Sequence, residues 1–132
     1  MTDPQKTPCG CGGHAGHAGH AGGMKELEKN IGHVPVFFRG LAESDPAMHE
    51  AILKLDNYIW ADGALSRKHK KLIAIAIATA MRDEHALHAQ LQGAKQLGVT
   101  MPEVEEALRV AFMLSGMPSY VYGKSKAAEI FK

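Results

Sequence analysis

Two cysteines and three histidines near the N-terminus are the side chains of this sequence best suited to chemistry. In chain order they are Cys9, Cys11, His14, His17 and His20. Thiolate and imidazole together are ligands that zinc, copper(I) and nickel bind more strongly than magnesium or calcium does. Glycine and alanine between them let the chain wrap around an ion without steric conflict. The spacing therefore predicts a transition-metal site. The alternative interpretation is a solvated low-complexity tail, or an expression remnant, whose histidines bind nothing.

The segment that carries these donors differs in composition from the rest of the chain. Glycine dominates residues 1–23, and this segment cannot bury enough apolar surface to fold alone. We predict that it is disordered without a ligand and that a folded domain spans residues 24–132. Both cysteines of the chain lie in this tail, so a disulfide scaffold is excluded.

His85 and His88 form a second candidate site. Three residues apart on a helix, they share a face and could ligate one ion together with Asp83 or Glu84. The interpretation that we favour is two polar residues on the exposed first turns of a helix, or at a subunit contact.

The elements that must position these groups all show helical periodicity, and none alternates as a strand would. We predict a short helical lead-in over residues 24–31, followed by helices over residues 34–42, 46–61, 66–81, 84–97, 102–115 and 119–131. Their starts are marked by Asp45 before a proline, Ser66, Asp83, and a capping box from Thr100 to Glu103. The sequence therefore predicts an all-α bundle of about six helices.

Apolar residues indicate which helix faces are buried. The helix over residues 66–81 is apolar around most of its circumference and is predicted to be central. The helix over residues 46–61 places five large residues near one side: Met48, Ile52, Leu55, Ile59 and Trp60. The scattered methionines are interpreted as core residues rather than as a soft-metal set.

Length and charge exclude several classes of protein. A chain of 132 residues with a formal net charge of +1 has room for one domain and no basic field for nucleic acid or anionic membranes. Its longest apolar run, residues 72–81, is about half a membrane span. There is no secretory signal pattern, so we expect a cytoplasmic protein. No organic cofactor is predicted.

The stretch Lys71–Gly98, KLIAIAIATAMRDEHALHAQLQGAKQLG, has two apolar helical runs around a polar break. With Leu65–Arg67 before it and Glu103–Tyr122 after it, the layout resembles the carboxymuconolactone decarboxylase and alkylhydroperoxidase D-like family. That family's motif is a glutamate, two cysteines three residues apart, and a histidine on the next turn. In this sequence the corresponding residues are Lys71, Asp83, Ala86 and Gln90.

The resemblance implies an AhpD-like helical bundle that forms a homo-oligomer, a trimer or a hexamer, without the family's redox chemistry. Two alternatives keep enzymatic activity: the tail thiols could act as a peroxidase, or His85, His88 and Gln90 could serve decarboxylase-like or lyase-like chemistry. The resemblance also suggests that Lys71 pairs with Asp83 or Glu84, because their helices are neighbours in the family fold. A Schiff-base role for Lys71 would require burial that lowers its pKa.

Overall fold

The computed structural model describes residues 36–132, and six α-helices account for most of them. They are α1 Val36–Ser44, α2 Pro46–Trp60, α3 Arg67–Met81, α4 Glu84–Gln96, α5 Met101–Ser115 and α6 Met117–Ile130. No strand occurs in this part of the chain, so the all-α prediction is confirmed. The predicted tail over residues 1–23 and the predicted helix over residues 24–31 lie outside the described residues. No helix within residues 36–132 combines the length and hydropathy that a membrane span requires.

The helices α2, α3 and α4 begin directly after the capping residues that the sequence analysis identified. The side chains of Asp45, Ser66 and Asp83 each accept a hydrogen bond from the backbone N–H three residues later, at 3.1, 3.2 and 3.0 Å. At the start of α5, Glu103 Oε2 accepts a 2.8 Å bond from the Thr100 N–H, which completes the capping box.

The last helix begins two residues earlier than predicted. Gly116 has a φ of 87°, which lets the chain turn sharply between α5 and α6. Pro118 then occupies the first turn of α6, where its missing N–H costs no hydrogen bond. Pro118 is therefore part of α6, and it is not part of the break between α5 and α6.

The main core lies around α3, which packs against α4, α5 and α6 as the sequence predicted. Its side chains are mostly aliphatic, and the fully buried ones include Ile75, Leu87, Leu91, Val104 and Leu108. Helix α6 lies close to α3 at Gly123. A Cβ at this position would lie 2.6 Å from Thr79 Cγ2. The absence of a side chain there allows the two helices to pack.

Helices α1 and α2 pack on each other around a smaller apolar cluster that contains Phe38 and Leu53. The ring of His49 lies in this cluster, with its centroid 4.7 Å from that of Phe38. The prediction for the inner side of α2 was wrong in part. Leu53 and His49 are buried, whereas Leu55 and Ile59 are exposed, because no described helix covers their side of α2.

The interpretation of the methionines as core residues was also wrong for most of those in the described helices. Met48, Met81, Met113 and Met117 are 51%, 71%, 78% and 64% exposed. Other large apolar side chains on the same helices are exposed as well: Ile73 and Ile77 on α3, Val110 and Leu114 on α5, and Val121 on α6. We call these five residues, together with Met81, Met113 and Met117, the exposed apolar residues of α3, α5 and α6. Within residues 36–132, no helix covers them.

Candidate functional site

The two helices that hold the motif positions are α3 and α4, joined by a short turn at Arg82 and Asp83. Lys71 lies near the start of α3, and Gln90 lies near the middle of α4. The antiparallel packing of the helices brings the two side chains together, and Lys71 Nζ donates a 2.9 Å hydrogen bond to Gln90 Oε1. The first and last motif positions are therefore in direct contact.

The amine of Lys71 lies in an apolar and aromatic environment. The whole residue is inaccessible to solvent, and Nζ lies 3.8 Å from the centroid of the Trp60 ring. Burial lowers the pKa of Lys71 to about 8, while the negative charge of Asp56 opposes this and the positive charge of Arg67 adds to it. A fraction of the Lys71 side chains is thus uncharged near neutral pH.

Two basic side chains of the first turn of α3 donate hydrogen bonds to backbone carbonyl groups at and next to Trp60, at the end of α2. Lys70 Nζ donates to the carbonyl oxygens of Ile59 and Ala61, at 2.7 and 2.6 Å. Arg67 Nε donates to the carbonyl oxygen of Trp60 at 3.1 Å. Three successive carbonyl groups at the C-terminus of α2 are satisfied by cations of the next helix, an arrangement that the helix dipole also favours. This arrangement fixes the position of Trp60 beside Lys71.

The acidic candidates near the motif are engaged elsewhere. Asp83 caps α4, and Glu84 Oε1 forms a 2.6 Å ion pair with Lys126 of α6, which lowers the pKa of Glu84 and raises that of Lys126. The hypothesis that Lys71 pairs with Asp83 or Glu84 is therefore wrong. The reason is geometric: both carboxylates lie at the first turn of α4, whereas the Lys71 amine reaches the second turn.

His85 and His88 are both exposed on the first two turns of α4. Within residues 36–132, no three His, Cys, Asp or Glu side chains are grouped so that they could hold a metal ion. Both histidines are exposed, whereas the Lys71–Gln90 contact is part-buried. The tail donors Cys9, Cys11, His14, His17 and His20 lie outside the described residues.

The sequence analysis missed Trp60, Asp56 and Arg67 as neighbours of Lys71. The sequence did carry a signal, because the basic run from Arg67 to Lys71 follows the end of the preceding helix, where cations stabilise terminal carbonyl groups. Lys68 belongs to the same run but forms a 2.7 Å ion pair with Glu103 of α5 instead.

A shallow groove of about 450 Å³ lies between α3 and α5, away from Lys71. Its walls are apolar, and it is lined by Leu72, Ile73, Ala76, Ala107 and Val110, with His69, Glu103 and Glu106 completing the lining. Ile73 and Val110 belong to the exposed apolar residues defined above, so the groove is part of that uncovered surface.

Comparison with known proteins gives one family. The sequence profile of the Carboxymuconolactone decarboxylase family matches residues 46–129. The uncharacterized protein MJ0742 of Methanocaldococcus jannaschii is 38% identical over 79 residues, which are 59% of this chain and 76% of that protein.

Two solved structures share the fold. A protein of Burkholderia xenovorans, assigned as a carboxymuconolactone decarboxylase, has a TM-score of 0.71 at 19% identity and covers 83% of this chain and 88% of its own. The apo form of lpg0406, a carboxymuconolactone decarboxylase family protein of Legionella pneumophila, has a TM-score of 0.68 at 23% identity, with coverages of 82% and 99%.

Proposed function

The chain belongs to the carboxymuconolactone decarboxylase family, and we propose that it is a member without the family's redox motif that binds a transition-metal ion through its N-terminal tail. The observation that carries this proposal is the placement of the donors. Both cysteines and three of the eight histidines stand within residues 9–20, and the folded domain contains no thiol.

The state of the motif positions supports the first half of the proposal. Thiol redox chemistry needs a thiolate, and the two positions at the start of α4 hold Asp83 and Ala86. The carboxylate of Asp83 is already used as a helix cap. The remaining two positions, Lys71 and Gln90, bond to each other and offer neither the glutamate nor the histidine that would relay a proton.

The chemistry of the tail supports the second half. Cys9 and Cys11 are soft ligands, and the three imidazoles are ligands of borderline softness, a set that suits zinc, copper(I) or nickel. Metal binding by deprotonated ligands releases protons, so the affinity should fall as the pH drops below the pKa of histidine.

Two observations count against decarboxylase-like or lyase-like chemistry at His85, His88 and Gln90. The amide oxygen of Gln90 already accepts the bond from Lys71. The two histidines are exposed to solvent, so they lack the concave, largely enclosed surroundings in which small-molecule sites usually lie. A peroxidase that uses the tail thiols is a separate alternative, which an assay with a dithiol donor on the Cys9→Ser/Cys11→Ser variant decides.

We further propose that the protein is a homo-oligomer, a trimer or a hexamer. The support is the set of exposed apolar residues of α3, α5 and α6, which include Leu114 at 86% exposure. Apolar surface of this kind on a folded domain favours association with another protein surface.

The test of metal binding compares three full-length proteins. Zinc, copper(I) and nickel are titrated separately into the wild type, into a tail variant in which the two cysteines become serine and His14, His17 and His20 become alanine, and into the matched control His85→Ala/His88→Ala. We expect binding by the wild type and by the control at the same affinity, and none by the tail variant. Equal, weak binding by all three proteins would refute the proposal.

A further inference from the structure

Lys71 is a buried primary amine to which the proposed metal-binding function assigns no role. Its Nζ donates a hydrogen bond to Gln90 Oε1 at 2.9 Å and lies against the face of Trp60, at 3.8 Å from the ring centroid. Neither neighbour carries a negative charge, so the charged form of this buried amine is unfavourable. The structure therefore contains an amine that is held in one position and is easier to deprotonate than a surface lysine.

We propose that Lys71 is a covalent binding site for small aldehydes or ketones, which its amine captures as an imine. This inference is independent of the tail, because none of the residues that carry it lies in residues 1–23. It also does not depend on the family's motif chemistry, since an amine and an amide occupy the positions of the carboxylate and the imidazole.

The amine has the property that this reaction requires. Only the neutral form is a nucleophile, and burial lowers the pKa of Lys71 to about 8. At pH 7 about a tenth of the Lys71 amines are neutral, against about three in ten thousand for a lysine with the ordinary pKa of 10.5. The neutral fraction is thus about 300-fold larger at Lys71.

The groups around the amine suit a small carbonyl compound. When the neutral amine donates one N–H to Gln90 Oε1, its lone pair stays available for attack. The Gln90 amide nitrogen is a donor for the carbonyl oxygen, and the indole of Trp60 offers an apolar face to a short carbon chain. Lys71 is completely buried and Trp60 beside it is partly exposed, so the proposal is limited to small ligands.

Two charged side chains on neighbouring parts of the fold change how easily the Lys71 amine loses its proton. Asp56 of α2 favours the ammonium form and Arg67 of α3 disfavours it, and burial outweighs both. A cation near a lysine is one of the means by which enzymes keep an amine nucleophilic. The site therefore combines desolvation with a neighbouring positive charge.

The step balances with the amine and the carbonyl compound alone. The lone pair of Nζ attacks the carbonyl carbon, the C–N bond forms, and the oxygen takes up a proton while Nζ loses one, which gives a carbinolamine. The hydroxyl group then leaves as water with a second proton from Nζ, and a C=N bond forms. No electron is gained or lost, and hydrolysis reverses the reaction.

The experiment traps the imine in the full-length wild-type protein. Butanal at a low concentration is added with sodium cyanoborohydride, which reduces an imine to a stable secondary amine, and peptide mapping by mass spectrometry measures the rate at each lysine. The internal controls are Lys54 and Lys132, which are exposed. We expect Lys71 to react at least tenfold faster than either control at pH 7. The ratio of the two rates should fall as the pH rises from 8 towards 10.5, where an ordinary surface amine also becomes neutral.

Reaction at Lys71 that is no faster than at the two controls would overturn the proposal. A ratio of the Lys71 rate to the control rates that stays constant from pH 7 to 10 would also overturn it. The variant Lys71→Arg keeps a cation at this position and cannot form an imine, so it should lose the fast phase and leave the slow labelling of the controls unchanged.

Discussion

Replacing Lys71 by methionine should change how the stability of the protein depends on pH. Methionine has a similar length, is apolar and does not titrate, so the variant lacks only the amine. The pKa of Lys71 is about 8 in the folded protein, whereas a lysine in the unfolded chain has the ordinary pKa of 10.5. This difference corresponds to about 3 kcal/mol between the two protonation states.

The direction follows from proton binding. Between pH 8 and 10.5 the unfolded chain holds a proton at Lys71 that the folded protein has released. The free energy of unfolding of the wild type therefore increases as the pH rises through this window. Below pH 8 both states are protonated and the cost of the buried charge is fully present, whereas above 10.5 both are neutral and the contribution is constant.

The variant also loses two interactions of the amine, and their loss offsets the stabilisation gained by removing the buried charge. The hydrogen bond from Lys71 to Gln90 is worth about 1.5–3 kcal/mol for a charged donor, and the contact with Trp60 about 0.5–2 kcal/mol. At pH 7 we thus expect the variant to be about as stable as the wild type. At pH 10.5 it should be less stable, by about 3 kcal/mol relative to the difference at pH 7.

Urea unfolding followed by circular dichroism measures this difference, with both proteins at the same concentration and at steps from pH 7 to 10.5. Other groups titrate in the same range, but their contributions cancel in the comparison of the two proteins. The variant Lys54→Met removes an exposed lysine and serves as the matched control. A difference between the wild type and Lys71→Met that stays constant from pH 7.5 to 10.5 would refute the reasoning.

Three further predictions concern packing, a cap and association. Gly123→Ala should lower the free energy of unfolding, measured by urea titration, by about 1–3 kcal/mol, because the new Cβ would lie 2.6 and 2.7 Å from the side chains of Thr79 and Leu108. The control is Gly40→Ala, which should not destabilise the protein because the space around Gly40 is open. Glu103→Gln should lower the melting temperature at pH 7, because the bonds from Lys68 and Thr100 stabilise the charged carboxylate and lower the pKa of Glu103 to about 2. The difference in melting temperature between the wild type and this variant should shrink as the pH falls from about 4.5 towards 2, where Glu103 of the folded protein becomes protonated. Leu114→Glu should reduce the native mass measured by light scattering at unchanged helicity; an unchanged mass would contradict the proposed use of this surface.

Much of the fold could be predicted because local signals carry it. Capping side chains at Asp45, Ser66 and Asp83 mark helix starts through bonds to residues three positions away, so they are visible in a short window of sequence. The central position of α3 followed from its apolar circumference. Gly116 correctly indicated a break before α6. It did not indicate the first residue of α6, because a proline such as Pro118 can lie either in a break or in the first turn of a helix.

The errors arose where the answer depends on distant neighbours. Periodicity finds an apolar stripe such as the one with Leu55 and Ile59, but it does not tell whether another helix of the chain packs on it. The partner of Lys71 was missed for a similar reason. Gln90 is 19 residues away, and only the packing of α3 on α4 decides that the amine reaches it rather than Asp83 or Glu84. The burial of Lys71 under Trp60 is likewise set by the end of α2.

The most direct test of the proposed function is the metal content of the full-length protein purified without an affinity tag. Elemental analysis by mass spectrometry should find zinc, copper or nickel in a fixed ratio to the chain in the wild type and in His85→Ala/His88→Ala. The same metal should be absent from the variant that lacks the five donors between residues 9 and 20. Metal at the same ratio in that variant, or no metal in any of the three proteins, would contradict the account.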